Sequence, residues 1–239
     1  MKCKECGSRE ITLINGVNKC VYCGAICNEI HKDNIISSNT LSSNSRYNNG
    51  EVIYEKCING VVEIIADGAC GTGFIINSNG DIITNAHVVL DDNNHFCKTI
   101  LCSINGNNYK SKIVKIGEVK GMDIALLKLL SKPLNIRPLV LGNSSRISNG
   151  QQIYVIGNSI GDGLRITSGI VSSKTKSYGI NAIVVDAAVN PGNSGGPVIN
   201  SNGEVVGVIN STRIDSNGVR QEGMHNAIPI NEVLTFLNE

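Results

Sequence analysis

Short β-branched runs separated by turn residues fill the chain from about residue 51 onward. A turn signal recurs about every ten residues, a spacing typical of an all-β barrel or sandwich. Two of these turns, at 77–80 and 200–203, place Asn-Gly between apolar runs and predict hairpins with positive φ at their tips. The predicted strands cover residues 58–66, 73–77, 81–84, 100–104, 112–116, 124–130, 152–156, 165–172, 182–185, 197–200 and 204–209.

The end of the chain has a helical period. Ile230, Val233, Leu234 and Leu237 fall on one helical face, which predicts a short C-terminal helix packed on the β-domain. With 239 residues, of which 41% are hydrophobic, the chain can bury a substantial core in one large or two small domains. A formal net charge of +1 gives no electrostatic footprint for nucleic acid or an anionic membrane, so neither is expected as a partner.

The first 30 residues carry five of the nine cysteines. Four of them form two C-x-x-C pairs separated by thirteen residues, and residues 11–17 between the pairs predict a hairpin. Two such turns aim four thiolates at one point, which is the ligand set of a tetrahedral structural Zn²⁺ site. Residues 1–30 are therefore predicted to be a zinc ribbon, in which metal binding supplies about 10 kcal/mol or more of folding free energy. The expected ligands are Cys3, Cys6, Cys20 and Cys23.

Two redox-active cysteine pairs are the alternative to zinc, and they are disfavoured because no thioredoxin-like βαβ pattern surrounds them. Cys27 and His31 follow at helical spacing and are interpreted as bystanders. Basic and acidic side chains are nearly equal in number in this cysteine-rich N-terminal region, which favours a protein partner over nucleic acid. Residues 31–50 are rich in Ser and Asn and predict a flexible linker. The remaining cysteines, expected to be small buried apolar residues, are Cys57, Cys70, Cys97 and Cys102.

Three short segments place a histidine, an aspartate and a serine in that order along the chain: His87 in 84–89, Asp123 in 122–127 and Ser194 in 189–197. A serine hydroxyl is a poor nucleophile alone and needs a nearby base, for which the histidine is the candidate. The base in turn needs a buried carboxylate to orient it, and the aspartate lies at the mouth of an apolar strand. The three segments together predict a Ser-His-Asp site for nucleophilic catalysis.

Glycines around the serine allow main-chain N–H groups to converge on one point. Gly192, Asn193 and Ser194 are therefore the candidates for an oxyanion hole. Taken singly, a histidine is usually structural, a glycine-rich turn is usually only a turn, and an aspartate before a strand is often a cap. Their joint occurrence favours the catalytic interpretation. The other histidines lie in linker or loop sequence and are interpreted as structural: His31, His95 and His225.

Residues from about 55 to 239 resemble the trypsin-like serine proteases, and within them the HtrA branch. The resemblance runs through residues 71–76, 84–89, 123–128, 155–158, 167–172, 186–197 and 226–230. It implies an all-β protease domain at 51–239 made of two six-stranded barrels, at about 51–143 and 144–239, with the site in the cleft between them. It also implies peptide-bond hydrolysis through an acyl-enzyme, with no cofactor for catalysis.

The resemblance also implies a substrate pocket. The residue six positions before the nucleophile would lie at its base, and here that residue is Ala188, so no carboxylate is available for Lys or Arg. Ile209, Asn210 and Ser211 would form its wall. We therefore expect cleavage after small or medium aliphatic residues such as Val, Ala, Ile or Leu. Asp186 is expected to hydrogen-bond nearby backbone instead of serving the pocket.

The chain departs from the HtrA pattern at both ends. No PDZ sequence follows the protease region before Glu239, and no apolar leader precedes the cysteine-rich head. We therefore expect a cytoplasmic protein without PDZ-based sensing. The rival interpretation is a catalytically latent protease fold that acts as a binding or regulatory module through the zinc ribbon, since such a fold can rest with a disordered oxyanion loop.

Overall fold

The computed structural model describes residues 11–14, 17–21, 49–131, 133, 136–214 and 220–239. The chain divides into two units, Met1–Ser43 and Asn44–Glu239. In the first unit, β1 (Ile11–Ile14) and β2 (Val17–Cys20) pair as an antiparallel hairpin. This confirms the hairpin predicted between the two cysteine pairs.

The zinc ribbon as a metal site falls mostly outside the described part of the chain. Cys3, Cys6 and Cys23 are not among the described residues, and of Cys20 only the main chain is described. The predicted linker is described only at Asn49 and Gly50. Zinc binding and linker flexibility therefore stay predictions.

The second unit begins with a helix that the sequence pattern did not predict. This helix, α1, spans Asn49–Cys57 and is followed by a 3₁₀ turn at Ile58–Gly60, so the strand predicted to begin at residue 58 begins at Val61 instead. Only Ile53 and Cys57, one turn apart, are buried from α1. Two buried positions are too few to give a recognisable helical period in the sequence.

The first barrel is closed by six antiparallel strands in the order β3-β4-β5-β8-β7-β6. Burial alternates along β6 and β8, as expected where one face of each strand meets the core and the other meets solvent. Its interior is filled by a cluster that includes Ile64, Ile82 and Leu127. The strands are β3 (Val61–Ala66), β4 (Ala69–Ile75), β5 (Asp81–Thr84), β6 (Ile100–Ile104), β7 (Asn107–Ile116) and β8 (Ala125–Leu129).

The second barrel has the strand order β13-β10-β11-β12-β15-β14 and is closed by pairing of β13 with β14, while β9 runs parallel to the edge of β14. Its core includes Val155, Val185, Ile209 and Ala227. The strands are β9 (Val140–Leu141), β10 (Gln152–Asn158), β11 (Leu164–Ser177), β12 (Ile180–Val185), β13 (Pro197–Asn200), β14 (Glu204–Ile214) and β15 (Arg220–Pro229). Strand β15 is absent from the sequence prediction because its first half is mostly polar.

The two Asn-Gly turns form in the same way in both barrels. Gly80 and Gly203 have φ values of 80° and 77° at the β4–β5 and β13–β14 hairpins, which confirms both turn predictions. In each turn an asparagine side chain accepts two main-chain N–H groups. Asn77 Oδ1 accepts from Asn79 and Asp81, and Asn200 Oδ1 accepts from Asn202 and Glu204.

A third buried cluster joins the barrels. It contains Phe74, Ile83 and Ile124 from the first barrel, and Tyr154, Ile156 and Ile199 from the second. The C-terminal helix α2 (Ile230–Asn238) adds Ile230 and Val233 to the same cluster. An all-β double six-stranded barrel with a short C-terminal helix is therefore confirmed for the described residues.

The cysteines of the barrels do not all behave as expected. Cys57 and Cys102 are buried, and burial raises the pKa of Cys102 to about 11. Cys70 is exposed and Cys97 is only partly buried, so the prediction is wrong for these two. The reason at Cys70 is its place at the exposed beginning of β4, before that strand enters the core.

Candidate active site

His87 and Asp123 form a close pair at one end of the first barrel. The Nδ1 atom of His87 lies 2.6 Å from Oδ2 of Asp123, and the main-chain N–H of His87 donates to Oδ1 at 3.0 Å. Asp123 is 2% exposed. Its main-chain carbonyl accepts a bond of 2.7 Å from Asn85 Nδ2. A buried carboxylate in this position orients the imidazole and favours the tautomer with hydrogen on Nδ1, which leaves Nε2 as the base.

Strand pairing explains why these two residues meet. Strands β5 and β8 are antiparallel neighbours, with Thr84 opposite Ala125. The residues just after β5 and just before β8 therefore emerge at the same end of the barrel. His87 lies in a 3₁₀ turn, Ala86–Val88, directly after β5, and Asp123 lies two residues before β8.

Ser194 lies in the loop between β12 and β13, here called the nucleophile loop (residues 186–196). The loop folds by its own main-chain bonds, from Asn193 N–H to Asn190 O at 3.0 Å and from Gly196 N–H to Asn193 O at 2.9 Å. Gly192 has a φ of 97°, and a Cβ atom there would overlap the carbonyl oxygen of Asn158. Glycine is therefore required at this position by both conformation and space.

Thr72 fastens the nucleophile loop to the first barrel, a role that the sequence did not reveal. Its N–H donates to Ser194 O at 2.9 Å and its hydroxyl donates to Gly192 O at 2.6 Å. The same hydroxyl accepts from Asn158 N–H at 2.9 Å. Thr72 is fully buried in β4. The available signal was a hydroxyl residue between two glycines in an otherwise apolar strand.

Two main-chain amides near Ser194 are not used by the fold. Within the described residues, the N–H groups of Gly192 and Ser194 donate to no protein acceptor, whereas the N–H of Asn193 is used within the loop. The Asn193 side chain is 3% exposed and its Oδ1 has no partner among the described residues. Of the three candidates for the oxyanion hole, Gly192 and Ser194 thus have amides available, and Asn193 supports the turn.

The serine hydroxyl does not contact the histidine directly. Ser194 Oγ donates to the main-chain carbonyl of Asn210 at 3.3 Å, and no hydrogen bond joins Ser194 to His87, both of which the structure describes. Catalytic hydrogen bonds are often long or absent without substrate and tighten when it binds. The three candidate residues are therefore not joined by a continuous set of hydrogen bonds in this structure.

The residues predicted to form the substrate pocket come from the nucleophile loop and β14. Ala188 is exposed, and its carbonyl accepts from Thr167 Oγ1 at 2.9 Å. Ile209 is buried, and its main chain pairs with the loop at Gly195 and Gly196.

Further along β14, Asn210 lies at a bulge in the pairing with β15, and Ser211 follows it opposite Asn226. Asp186 lies close to the pocket in sequence. Its Oδ1 accepts from Ile170 N–H at 2.6 Å, which confirms the expected bond to backbone.

The remaining described histidines differ in setting. His95 is exposed, with Nδ1 3.4 Å from Asp91 Oδ2. His225 was interpreted as a loop residue, but it lies on β15 with 2% of its surface exposed. The described residues contain no group of three or more His, Cys, Asp or Glu side chains suited to a metal ion. No helix in the same part of the chain is long and apolar enough to cross a membrane.

Comparisons with known proteins agree with this geometry. The family model for the trypsin-like peptidase domain matches residues 71–208, a span that contains His87, Asp123 and Ser194. The magnetosome formation protease MamE of Paramagnetospirillum magneticum is 38% identical over 174 residues, which are 70% of this chain and 23% of that protein. The "Serine protease HtrA-like" of Staphylococcus aureus is 34% identical over 187 residues, which are 71% of this chain and 23% of that protein.

Two solved structures are similar across both barrels. The HtrA-type protease AlgWS227A with tripeptide has a TM-score of 0.68 and 25% identity, and the match covers 78% of this chain and 61% of that one. The serine endoprotease from Yersinia pestis has a TM-score of 0.66 and 26% identity, covering 78% and 64% of the two chains. The chain spans about a quarter of the length of the curated relatives it matches.

Proposed function

The chain belongs to the trypsin-like peptidase domain family, and on that premise we propose that it is an HtrA-like serine endopeptidase. The observation that carries the proposal is the buried carboxylate of Asp123 at 2.6 Å from His87 Nδ1. Asp123 is only 2% exposed, whereas the side chain of His87 is 35% exposed. Few structural roles require a buried carboxylate to bond a histidine that remains accessible to solvent. Protein or peptide chains are the expected substrates.

In the proposed reaction, His87 Nε2 accepts the proton of Ser194 Oγ as the oxygen attacks the scissile carbonyl carbon. The amides of Gly192 and Ser194 bind the oxyanion, and Asp123 stabilises the imidazolium that forms. The imidazolium then protonates the leaving amine, and an acyl-enzyme remains on Ser194. Water, deprotonated by His87, hydrolyses this ester and restores the serine.

Labelling with a fluorophosphonate probe tests the proposal, because such probes react only with an activated serine. We expect labelling of the purified protein that is absent in Ser194→Ala and strongly reduced in His87→Ala. Ser194→Ala is a small change at a partly exposed position, so circular dichroism should show an unchanged fold. A folded wild-type protein that does not label would contradict the proposal.

A latent protease fold that serves as a binding module is the second candidate. The bond from Ser194 Oγ to Asn210 O favours it, because the hydroxyl is bonded to a main-chain carbonyl and not to His87 in this structure. The two candidates differ in the labelling experiment. A latent site labels only after a partner or substrate is added, whereas a constitutive site labels in the purified protein.

Cleavage after small or medium aliphatic residues is the proposed specificity. Ala188, at the position expected for the base of the pocket, carries no charge, and the buried Ile209 gives the adjoining wall an apolar character. Digestion of a peptide library tests this directly. A clear preference for Lys or Arg before the cleaved bond would contradict it.

A structural Zn²⁺ held by Cys3, Cys6, Cys20 and Cys23 is a further proposal, supported by ligand spacing and by the β1–β2 hairpin between the two cysteine pairs. We expect one zinc per chain by elemental analysis, lost in Cys3→Ser and retained in Cys27→Ser. A protein that purifies without zinc and keeps the same circular dichroism after chelation would contradict the proposal.

The ribbon is also proposed to bind a protein partner, in a cytoplasmic setting that keeps its thiols reduced. Deletion of residues 1–50 is expected to leave labelling of Ser194 intact and to change which proteins are cleaved in cells. Identical cleavage with and without this segment would remove the support for a docking role. Cell fractionation tests the location.

A further inference from the structure

His225 is the only fully buried histidine among the described residues, with 2% of its surface exposed. It lies on β15, at the end of the second barrel that carries the nucleophile loop. The proposed chemistry gives it no part.

The strand order places His225 between the two sides of the predicted substrate pocket. Strand β15 lies between β12 and β14, and His225 is opposite Val185 on one side and Thr212 on the other. Val185 is the last residue of β12, three positions before Ala188. Thr212 is two positions beyond Asn210, whose carbonyl accepts from the Ser194 hydroxyl. Strand β15 therefore runs, at the level of His225, between the two strands that lead to the predicted pocket residues.

The face of β15 is fixed by its neighbours. Residues directly opposite each other in an antiparallel pair share a face, and so do residues two apart on one strand. His225 thus shares a face with Val185 and Ala227, both of which belong to the buried core of the second barrel. Met224 lies on the opposite face and is 45% exposed. The imidazole is directed inward.

We propose that His225 sets the depth of the specificity pocket, so that only short side chains fit before the cleaved bond. This rests on the proposed endopeptidase function and narrows its substrate class to chains cleaved after Ala or Val in preference to Leu or Phe. A ring at this level fills space that a glycine or alanine would leave open. Val185, Ala187 and Ile209 belong to the apolar core of the same barrel, and an apolar lining favours filling of space over recognition of charge.

The test measures kcat/KM for peptides that differ only in the residue before the cleaved bond, which is Ala, Val, Leu, Phe or Glu. In the wild-type protein we expect Ala and Val to be cleaved best. His225→Ala should raise kcat/KM for the Leu and Phe peptides, relative to kcat/KM for the Ala peptide, by about tenfold to a hundredfold. This is the range for pocket contacts of one or two carbons. His225→Leu keeps the bulk and should keep the wild-type order. Met224→Ala, on the outer face of the same strand, is the matched control.

Three results would overturn the inference. The first is a wild-type preference for Glu that is lost in His225→Leu, which would show that the imidazole recognises a charged side chain of the substrate. The second is an unchanged order of preferred residues in His225→Ala. The third is a wild-type preference for Leu or Phe over Ala and Val. Should His225→Ala fail to fold, His225→Val carries the same test with a smaller gain in pocket depth.

Fluorophosphonate labelling of every variant distinguishes a failure of the endopeptidase proposal from a failure of the inference about His225. If the wild-type protein does not label at Ser194, the endopeptidase proposal fails and the inference fails with it. If the variants label but substitution of His225 does not change which residue is preferred before the cleaved bond, only the inference fails.

Discussion

The two halves of the candidate active site are held in different ways. His87 and Asp123 both belong to the first barrel, and their mutual bonds stay within it. The nucleophile loop belongs to the second barrel, yet its bonds through Thr72 reach across to the first. His87 and Asp123 are therefore positioned by neighbouring strands of one barrel, whereas the position of Ser194 depends on how the barrels pack.

This difference bears on how the site is completed. The histidine–aspartate pair is already formed, and the hydroxyl of Ser194 is instead bonded to Asn210. Because no hydrogen bond joins Ser194 to the pair, we expect small shifts of the nucleophile loop to move the serine hydroxyl without disturbing the histidine–aspartate bond. We therefore expect substitutions in the first half to act on chemistry alone, and substitutions at the contacts between barrels to act on the geometry of the nucleophile.

The largest expected effect is in the first half. Asp123→Asn keeps the shape of the side chain but removes the charge that fixes the His87 tautomer, so kcat should fall on the order of 10⁴ with the fold retained. Steady-state kinetics and thermal unfolding measure the two effects. Asp81→Asn, another carboxylate change in the same barrel, is the control and should leave kcat unchanged. A loss below tenfold in Asp123→Asn would show that the pair is not catalytic.

The next effect is expected where the loop meets the first barrel. Gly195 has a φ of 83°, and a Cβ atom there would overlap Thr72 O and Thr84 Oγ1. Gly195→Ala should push Ser194 out of place and slow probe labelling by about 10² or more, the cost of displacing a reacting group by roughly 1 Å. Gly150 has a similar φ of 81° with open space around it, so Gly150→Ala is the matched control. Equal labelling rates in the two variants would contradict the role given to this contact.

A smaller effect is expected at Thr72. Thr72→Val keeps the shape and removes the hydroxyl. The buried Asn158 N–H and the partly buried Gly192 O then lose this partner, at a cost of about 1–3 kcal/mol. Since these bonds position the nucleophile loop, we expect kcat to fall by about tenfold to a hundredfold with KM little changed. Thr72→Ser retains the hydroxyl and should restore kcat. Failure of serine to rescue would indicate that only packing matters at this position.

The smallest effect concerns stability away from the site. Burial alone would raise the pKa of Asp81, but hydrogen bonds from Lys128 and Asn77 outweigh it and hold this pKa below its usual value. A lowered pKa in the folded state stabilises the protein above the unfolded pKa, and this contribution is lost as the pH falls through the folded pKa.

Asp81→Asn should therefore lower the free energy of unfolding by about 1 kcal/mol near neutral pH. The difference from wild type should shrink as the pH falls below the ordinary value of 3.8. Urea unfolding at a series of pH values measures this. A difference that stays constant down to pH values near 2 would exclude the charge as its cause.

Elements with a regular apolar pattern could be predicted from the sequence, and those without one could not. Eleven of the twelve barrel strands were predicted as apolar runs, and both Asn-Gly hairpins followed from local turn chemistry. Strand β15 was missed because its polar residues include His225, which becomes buried only between β12 and β14. Helix α1 was missed because only Ile53 and Cys57 anchor it.

The candidate site shows the same division. His87, Asp123 and Ser194 were singled out by residue type, order and neighbouring glycines, all of which are local in the sequence. Thr72 carried no such signal, because its importance lies in bonds to Gly192 and Ser194 more than a hundred residues away. Asn158 was likewise noticed only as part of a motif, and its contacts with Gly192 and Thr72 emerge from the packing.

The sequence by itself determined the class of fold, the two hairpin turns, the C-terminal helix and the identity of the three candidate catalytic residues. It could do so because side-chain periodicity, turn preferences and the residue types around a catalytic nucleophile are all recognisable in short segments of the sequence. The tertiary structure alone decided which amides remain available, how Thr72 secures the loop and that His225 is buried between β12 and β14. Those features depend on contacts between strands that are distant in sequence, and their geometry exists only once both barrels have closed.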